Sequence, residues 1–173
     1  QLPGVHNVLN VLLAVAVGRT LDLRLRQMAH AARRIEPIEH RLQLREEGNV
    51  TIIDDAFNSN PVGARNAVEI LGRMNGGRRV IVTPGMVELG DRQWDENETL
   101  GRHIAAHDID LAVLVGDDQT APIQSGLKAA EYPTDRIRVV STLADAQDVL
   151  ARYLDDGDVV LYENDLPDQY DVP

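Results

Sequence analysis

From about residue 38 onward the sequence alternates short runs of β-branched and aliphatic residues with longer amphipathic stretches, which leaves few folds open. Val50-Thr51-Ile52-Ile53 reads as a strand, with Arg41 to Arg45 pairing beside it across the Glu47-Gly48-Asn49 turn. Asn60-Pro61 then predicts a helix from about Val62 to Met74, because proline at a helix start gives up an N–H that has no partner there. Gly76-Gly77 closes it. Strands over Arg79 to Thr83, Leu111 to Val115, Ile137 to Val140 and Val159 to Tyr162 alternate with helices near Gln93 to His107, Pro122 to Ala130 and Leu143 to Leu154. Short apolar strands separated by helices belong to a mostly parallel sheet covered on both faces. The expected fold class is a three-layer α/β domain.

The first 35 residues do not fit that pattern. Val5 to Val17 reads as a helix that is apolar on most faces and interrupted by Asn7 and Asn10, the kind usually buried against something large. Gly18 is expected to stop it, a second helix to run from Leu21 to Arg34, and Pro37 to open a linker. Two helices ahead of a self-contained domain look like the tail of another domain. The longest apolar run, Val8 to Val17, is too short to span a bilayer, so no membrane insertion is expected. Without cysteines, disulfides and thiolate chemistry are excluded, and a cytoplasmic location fits. A net charge of −11 opposes nucleic acid as a partner.

Ligands of parallel α/β sheets sit where strands run into helices. Three loops qualify: Asp54 to Pro61, Thr83 to Gly90 and Gly116 to Thr120. A carboxylate at a strand end binds ribose hydroxyls or a magnesium ion, so Asp54 and Asp55 are candidates. The alternative is that one caps the next turn and the other is solvated. Asn58 and Asn60 are turn formers or site residues, with Asn60 also a helix cap. Glu88 reads as a solvated loop carboxylate, and Gly116-Asp117-Asp118 as a capped turn. His6 reads as a core or capping histidine. His103 and His107 stand four apart on one helix, but no third ligand lies near them in sequence, so surface or capping roles are expected. Lys128 is the only lysine, and no GxxxxGK[ST] phosphate loop occurs. Phosphate chemistry must therefore use groups supplied elsewhere.

Four strings together resemble the Mur ligase family, ATP-dependent amide-bond-forming enzymes of peptidoglycan precursor synthesis. Gly4-Val5-His6-Asn7-Val8-Leu9-Asn10 is similar to the GxHNxxN segment near the end of the family's central ATP-binding domain. Glu39-His40-Arg41-Leu42-Gln43 resembles the element opening its C-terminal domain. Asp54-Asp55-Ala56-Phe57-Asn58-Ser59-Asn60-Pro61 resembles the D-x-Y-N-x-N-P loop of the member that adds D-alanyl-D-alanine. Met86-Val87-Glu88-Leu89-Gly90 resembles the end of its G-D-M-x-E-L-G loop. The resemblance implies a Rossmann-like C-terminal domain from residue 36, preceded by a helical remnant of the central domain over residues 1–35. It also implies phosphorylation of a carboxylate by ATP and attack of an amine on the acyl phosphate. Asn7, Asn10, Arg41 and Asp55 would then bind ATP, and Asn58, Asn60 and Glu88 would lie near the acceptor. Mg²⁺ would be held mainly by the central domain, upstream with the N-terminal domain. A UDP-muramoyl peptide and a D-amino-acid dipeptide would be the substrates, with the fragment alone inactive.

Two departures leave the acceptor open. Pro84-Gly85-Met86 replaces G-D-M, and an acidic stretch from Tyr162 to Tyr170 replaces a Lys-Gly-Ser segment. The alternatives are a folylpolyglutamate-synthase-like ligase with another acceptor, and a non-catalytic α/β binding module.

Overall fold

The computed structural model describes residues 4–36 and 38–164, with the backbone alone of Val5 and His6. The expectations for the His6 side chain, for Pro37 and for the ending from Asp165 to Tyr170 fall outside what is described. Two helices, α1 (Val5–Thr20) and α2 (Leu25–Ala32), precede a sheet domain. Its strands are β1 (Gln43–Glu47), β2 (Val50–Asp55), β3 (Arg79–Thr83), β4 (Leu111–Val115), β5 (Ile137–Val140) and β6 (Val159–Glu163). The helices between them are α3 (Pro61–Arg73), α4 (Gln93–Ala105), α5 (Asp117–Ala129) and α6 (Leu143–Tyr153).

The six strands lie in the order β1-β2-β6-β3-β4-β5, all parallel except β1, which pairs antiparallel with β2 through a tight turn. Period-2 alternation splits the core. Ile53, Ile81, Leu114 and Leu161 pack against α3, α4 and α5, while Ile52, Val80, Val113 and Val160 pack against α6 on the other face. This is the expected three-layer arrangement. The last described strand, β6, enters between β2 and β3 and so joins the two earliest parallel strands near the centre of the sheet.

Four local expectations need correction. The strand beside β2 runs Gln43–Glu47 and not Arg41 to Arg45, which leaves Arg41 in the connection ahead of it and Glu47 paired with Val50. Gly18 lies inside α1; a Cβ there would overlap the Met28 sulfur, so this glycine permits the approach of α2 and does not end the helix. The second helix is shorter than Leu21 to Arg34, with Leu23 and Arg24 still in the connection. Pro122 lies within α5, which starts at Asp117; Gly116 adopts φ 88° ahead of it. Asp117 and Asp118 thus occupy the first helical turn, where the helix dipole favours negative charge.

The apolar helix α1 is the exception to good burial. Val8, Leu9, Leu12 and Leu13 are each more than half exposed, and Leu21 and Leu25 beyond them are too. Among the described residues, no helix is long and apolar enough to cross a membrane.

Candidate functional site

A cleft of about 710 Å³ opens at the carboxyl end of β2, within the size range of small-molecule sites. Its walls come from three separate stretches of chain. Asn7, Asn10, Val11 and Ala14 come from α1, and Ile35, Ile38, Arg41 and Leu42 from the connection into the sheet. Asp55 ends β2 and Phe57, Asn58, Ser59 and Asn60 follow it, with Gly63 and Asn66 contributed by α3. Of the sequence-derived candidates, Asn7, Asn10, Arg41, Asp55, Asn58 and Asn60 therefore meet in one place. Glu88 does not join them: it is exposed in the loop after β3, at φ 60°.

The adjacent aspartates divide their work. Asp54 is buried, and its carboxylate meets His40 Nδ1 at 3.0 Å and Arg45 at 2.8 Å while accepting the N–H of Ala56 at 3.2 Å. That last bond is the capping arrangement open from sequence. Asp55 accepts the N–H of Leu42 at 3.0 Å. His40 and Leu42 both take left-handed backbone angles, φ 58° and 48°, a conformation that costs non-glycine residues free energy and persists only when neighbours impose it. The two carboxylates impose it here, one gripping each side of Arg41. Arg41 is thereby turned toward the cleft, where its guanidinium lies 4.3 Å from the centre of the Phe57 ring, within cation–π range.

Asn60 caps α3, its Oδ1 accepting from Val62 and Gly63 at 3.1 and 3.0 Å. Those two N–H groups are occupied by the cap. Below the cleft runs a polar network that sequence reasoning missed. Glu163, wholly buried at the end of β6, accepts from the hydroxyls of Ser59 and Thr83. Burial raises its carboxyl pKa to about 7 against the lowering effect of the two hydroxyls, and the nearby Asp55 raises it further. Asn164 accepts from the Ser59 N–H at 2.9 Å and donates to Gly85 O at 2.6 Å. The start of the ending read as an acidic replacement is thus a buried latch joining the loops after β2 and β3. Asn97, from α4, completes it by pairing with both the N–H and the carbonyl of Met86, at 2.8 and 2.9 Å. The only signal in the sequence is position: polar residues directly follow an apolar strand.

As a ligand site the cleft offers side-chain amides with both donor and acceptor edges, a guanidinium and a carboxylate. These suit the base, sugar and phosphates of a nucleotide. They do not suit a magnesium ion unaided: Asp54 is taken up by the His40 ring and the Arg45 guanidinium, and among the described residues no cluster of three metal-ligating side chains lies in the cleft.

The family model described as Mur ligase, glutamate ligase domain, matches residues 40–162. The chain is 32% identical over 177 residues to the UDP-N-acetylmuramoyl-tripeptide--D-alanyl-D-alanine ligase of Mycobacterium bovis, covering 91% of this chain and 35% of that protein. It is 31% identical over 159 residues to the UDP-N-acetylmuramoylalanine--D-glutamate ligase of Nitrosomonas europaea, covering 91% of this chain and 31% of that one. Among solved structures, MurF from Acinetobacter baumannii is similar with a TM-score of 0.79 and 26% identity, covering 94% of this chain and 35% of that chain. The chain spans about a third of the length of the curated relatives it matches. A family model matched over most of the sequence, on a sheet domain of the same architecture, places the chain in the Mur ligase family, whose C-terminal domain it carries.

Proposed function

We propose that this chain is part of an ATP-dependent, ADP-forming ligase that adds D-alanyl-D-alanine to a UDP-muramoyl peptide in the cytoplasm. On this reading residues 36–173 are the C-terminal domain and residues 1–35 the helical tail of a central ATP-binding domain. The observation carrying the proposal is the cleft itself: Asn7 and Asn10 from α1 face Arg41 and Asp55 across one space. Asn7 and Asn10 would hold the adenine edge, Asp55 the ribose hydroxyls and Arg41 the ribose or phosphates. ATP would activate a carboxylate as the acyl phosphate that the acceptor amine attacks. Mg²⁺ and the phosphate loop would belong to the central domain, so the chain alone is expected to be inactive. The exposed leucines and valines of α1 support this division, because they form an apolar face of the kind that packs against further protein.

Asn58 and Asn60 line the same cleft and would meet the acceptor. Glu88 would reach it only if the loop after β3 moved. A second acceptor class is favoured by one specific observation: a D-glutamate-adding relative matches nearly as well as the D-alanyl-D-alanine-adding one. Phosphate release by the full-length enzyme, given ATP and either a UDP-muramoyl tripeptide with D-alanyl-D-alanine or UDP-N-acetylmuramoylalanine with D-glutamate, separates the two. Release that requires D-alanyl-D-alanine supports the proposal. Release indifferent to that dipeptide sinks the acceptor assignment.

A further inference from the structure

One turn of α3 beyond the cleft-lining Asn66, where α3 runs beside the end of α4, three metal-ligating side chains converge. His103 and His107 lie four residues apart, with ring centroids 4.1 Å apart. Glu69 reaches them from α3, and one ligand atom of each residue lies within 4.8 Å of the others. Sequence spacing shows the two histidines but not the glutamate, which the packing of two helices supplies.

Each imidazole is already held by one of its ring nitrogens. His103 Nε2 lies 3.1 Å from the carbonyl oxygen of Arg65, and His107 Nδ1 lies 2.8 Å from that of His103. A carbonyl only accepts, so these nitrogens carry the protons. In the neutral rings the lone pairs then lie on His103 Nδ1 and His107 Nε2. An N–H to carbonyl bond behind the coordinating nitrogen is the usual support of a metal-bound histidine, fixing tautomer and ring orientation together. Gly72 makes room for the arrangement: a Cβ there would sit 2.9 Å from His107 O and 3.1 Å from His107 Cβ. All three ligand residues are half-buried, which leaves a side open for water or a further ligand.

We propose that Glu69, His103 and His107 form a site for a divalent transition-metal ion of the zinc type, clasping the ends of α3 and α4. Two imidazoles and one carboxylate, with an open fourth position, form a donor set that zinc accepts. Ligands around a tetrahedral zinc stand roughly 3.3 Å apart, as bonds of about 2.0–2.1 Å require. The three side chains therefore close inward by rotation about their own bonds. Arg73 lies 3.6 Å from the Glu69 carboxylate on an exposed side chain and is displaced as the ion enters. Mg²⁺, which demands oxygen ligands, is a poor competitor for this set.

The test is calorimetric titration of the chelator-treated 173-residue chain with zinc chloride, in the presence and absence of a tenfold excess of magnesium chloride. Expected are one saturable equivalent, unaffected by magnesium, and a thermal midpoint raised by zinc alone. His103→Ala, His107→Ala and Glu69→Gln should each weaken binding by more than ~10-fold, since even outer-shell substitutions cost that much. Glu69→Gln keeps the side chain's shape, so it decides the matter if a histidine variant fails to fold. Absence of saturable binding, or binding that none of the three substitutions weakens, overturns the proposal.

Discussion

The hydroxyl of Thr83 donates to the buried carboxylate of Glu163 at 2.9 Å, joining the ends of two neighbouring parallel strands beneath the cleft. Burial holds the Glu163 carboxyl near 7, above the ordinary 4.5. Between those values the folded chain keeps a proton that the unfolded chain has lost. Stability should therefore be highest below the window and fall as pH rises through it. The shift corresponds to a loss on the order of 3 kcal/mol above neutrality. Glu163→Gln removes the charge and keeps an acceptor, so denaturant titrations at pH 5 and pH 8 should differ less in the variant than in the parent. An equal pH dependence in both would contradict this.

Asn164 spans the gap between the loops after β2 and β3 with one accepted and one donated bond. Asn164→Ala leaves the Ser59 N–H and the Gly85 carbonyl without that partner. The cost should be about 1–3 kcal/mol per buried group left unsatisfied. Urea unfolding measures it, and amide exchange should show faster exchange at Ser59.

Asp54 is the partner of both His40 and Arg45, and the only aspartate of its pair that is fully buried. Asp54→Ala would leave His40 free to relax out of its left-handed conformation. We expect a loss of about 1–3 kcal/mol in stability and a weaker grip on nucleotide, because Arg41 is no longer presented. A variant destabilised to that extent whose nucleotide affinity is unchanged would separate the turn from the site.

Gly126 and Gly101 face each other where α4 and α5 nearly touch; a Cβ on Gly126 would overlap the carbonyl oxygen of Glu98. Backbone cannot yield as a side chain does. Gly126→Ala should destabilise by at least ~1–3 kcal/mol, the usual cost of overpacking, seen as a lowered thermal midpoint. A midpoint unchanged from the parent would show that the helices can separate.

The strands and most helices were legible because their signals are local: β-branched runs, Asn60-Pro61 at a helix start, glycines after a helix. The same held for the capping role of Asn60, which depends on two N–H groups within three residues. What was not legible depends on strand order. Glu163 and Asn164 become a latch only because β6 enters between β2 and β3, bringing together residues about 80 and 105 positions apart in sequence. Glu69 beside His103 and His107 is likewise a product of helix packing. Gly18 was misread for a related reason. A glycine required by the approach of a distant methionine carries the same letter as one that ends a helix.

The central claim is that the cleft between α1 and the loop after β2 binds nucleotide. Its most direct test is equilibrium binding of ATP to the full-length enzyme and to its Arg41→Ala and Asp55→Ala variants, with thermal midpoints recorded alongside. Loss of a charge-assisted bond predicts affinity reduced about 10- to 100-fold in each variant, with the Arg41→Ala midpoint close to the parent's because that side chain is exposed. Unchanged ATP affinity in both variants would contradict the claim and remove the nucleotide from this cleft.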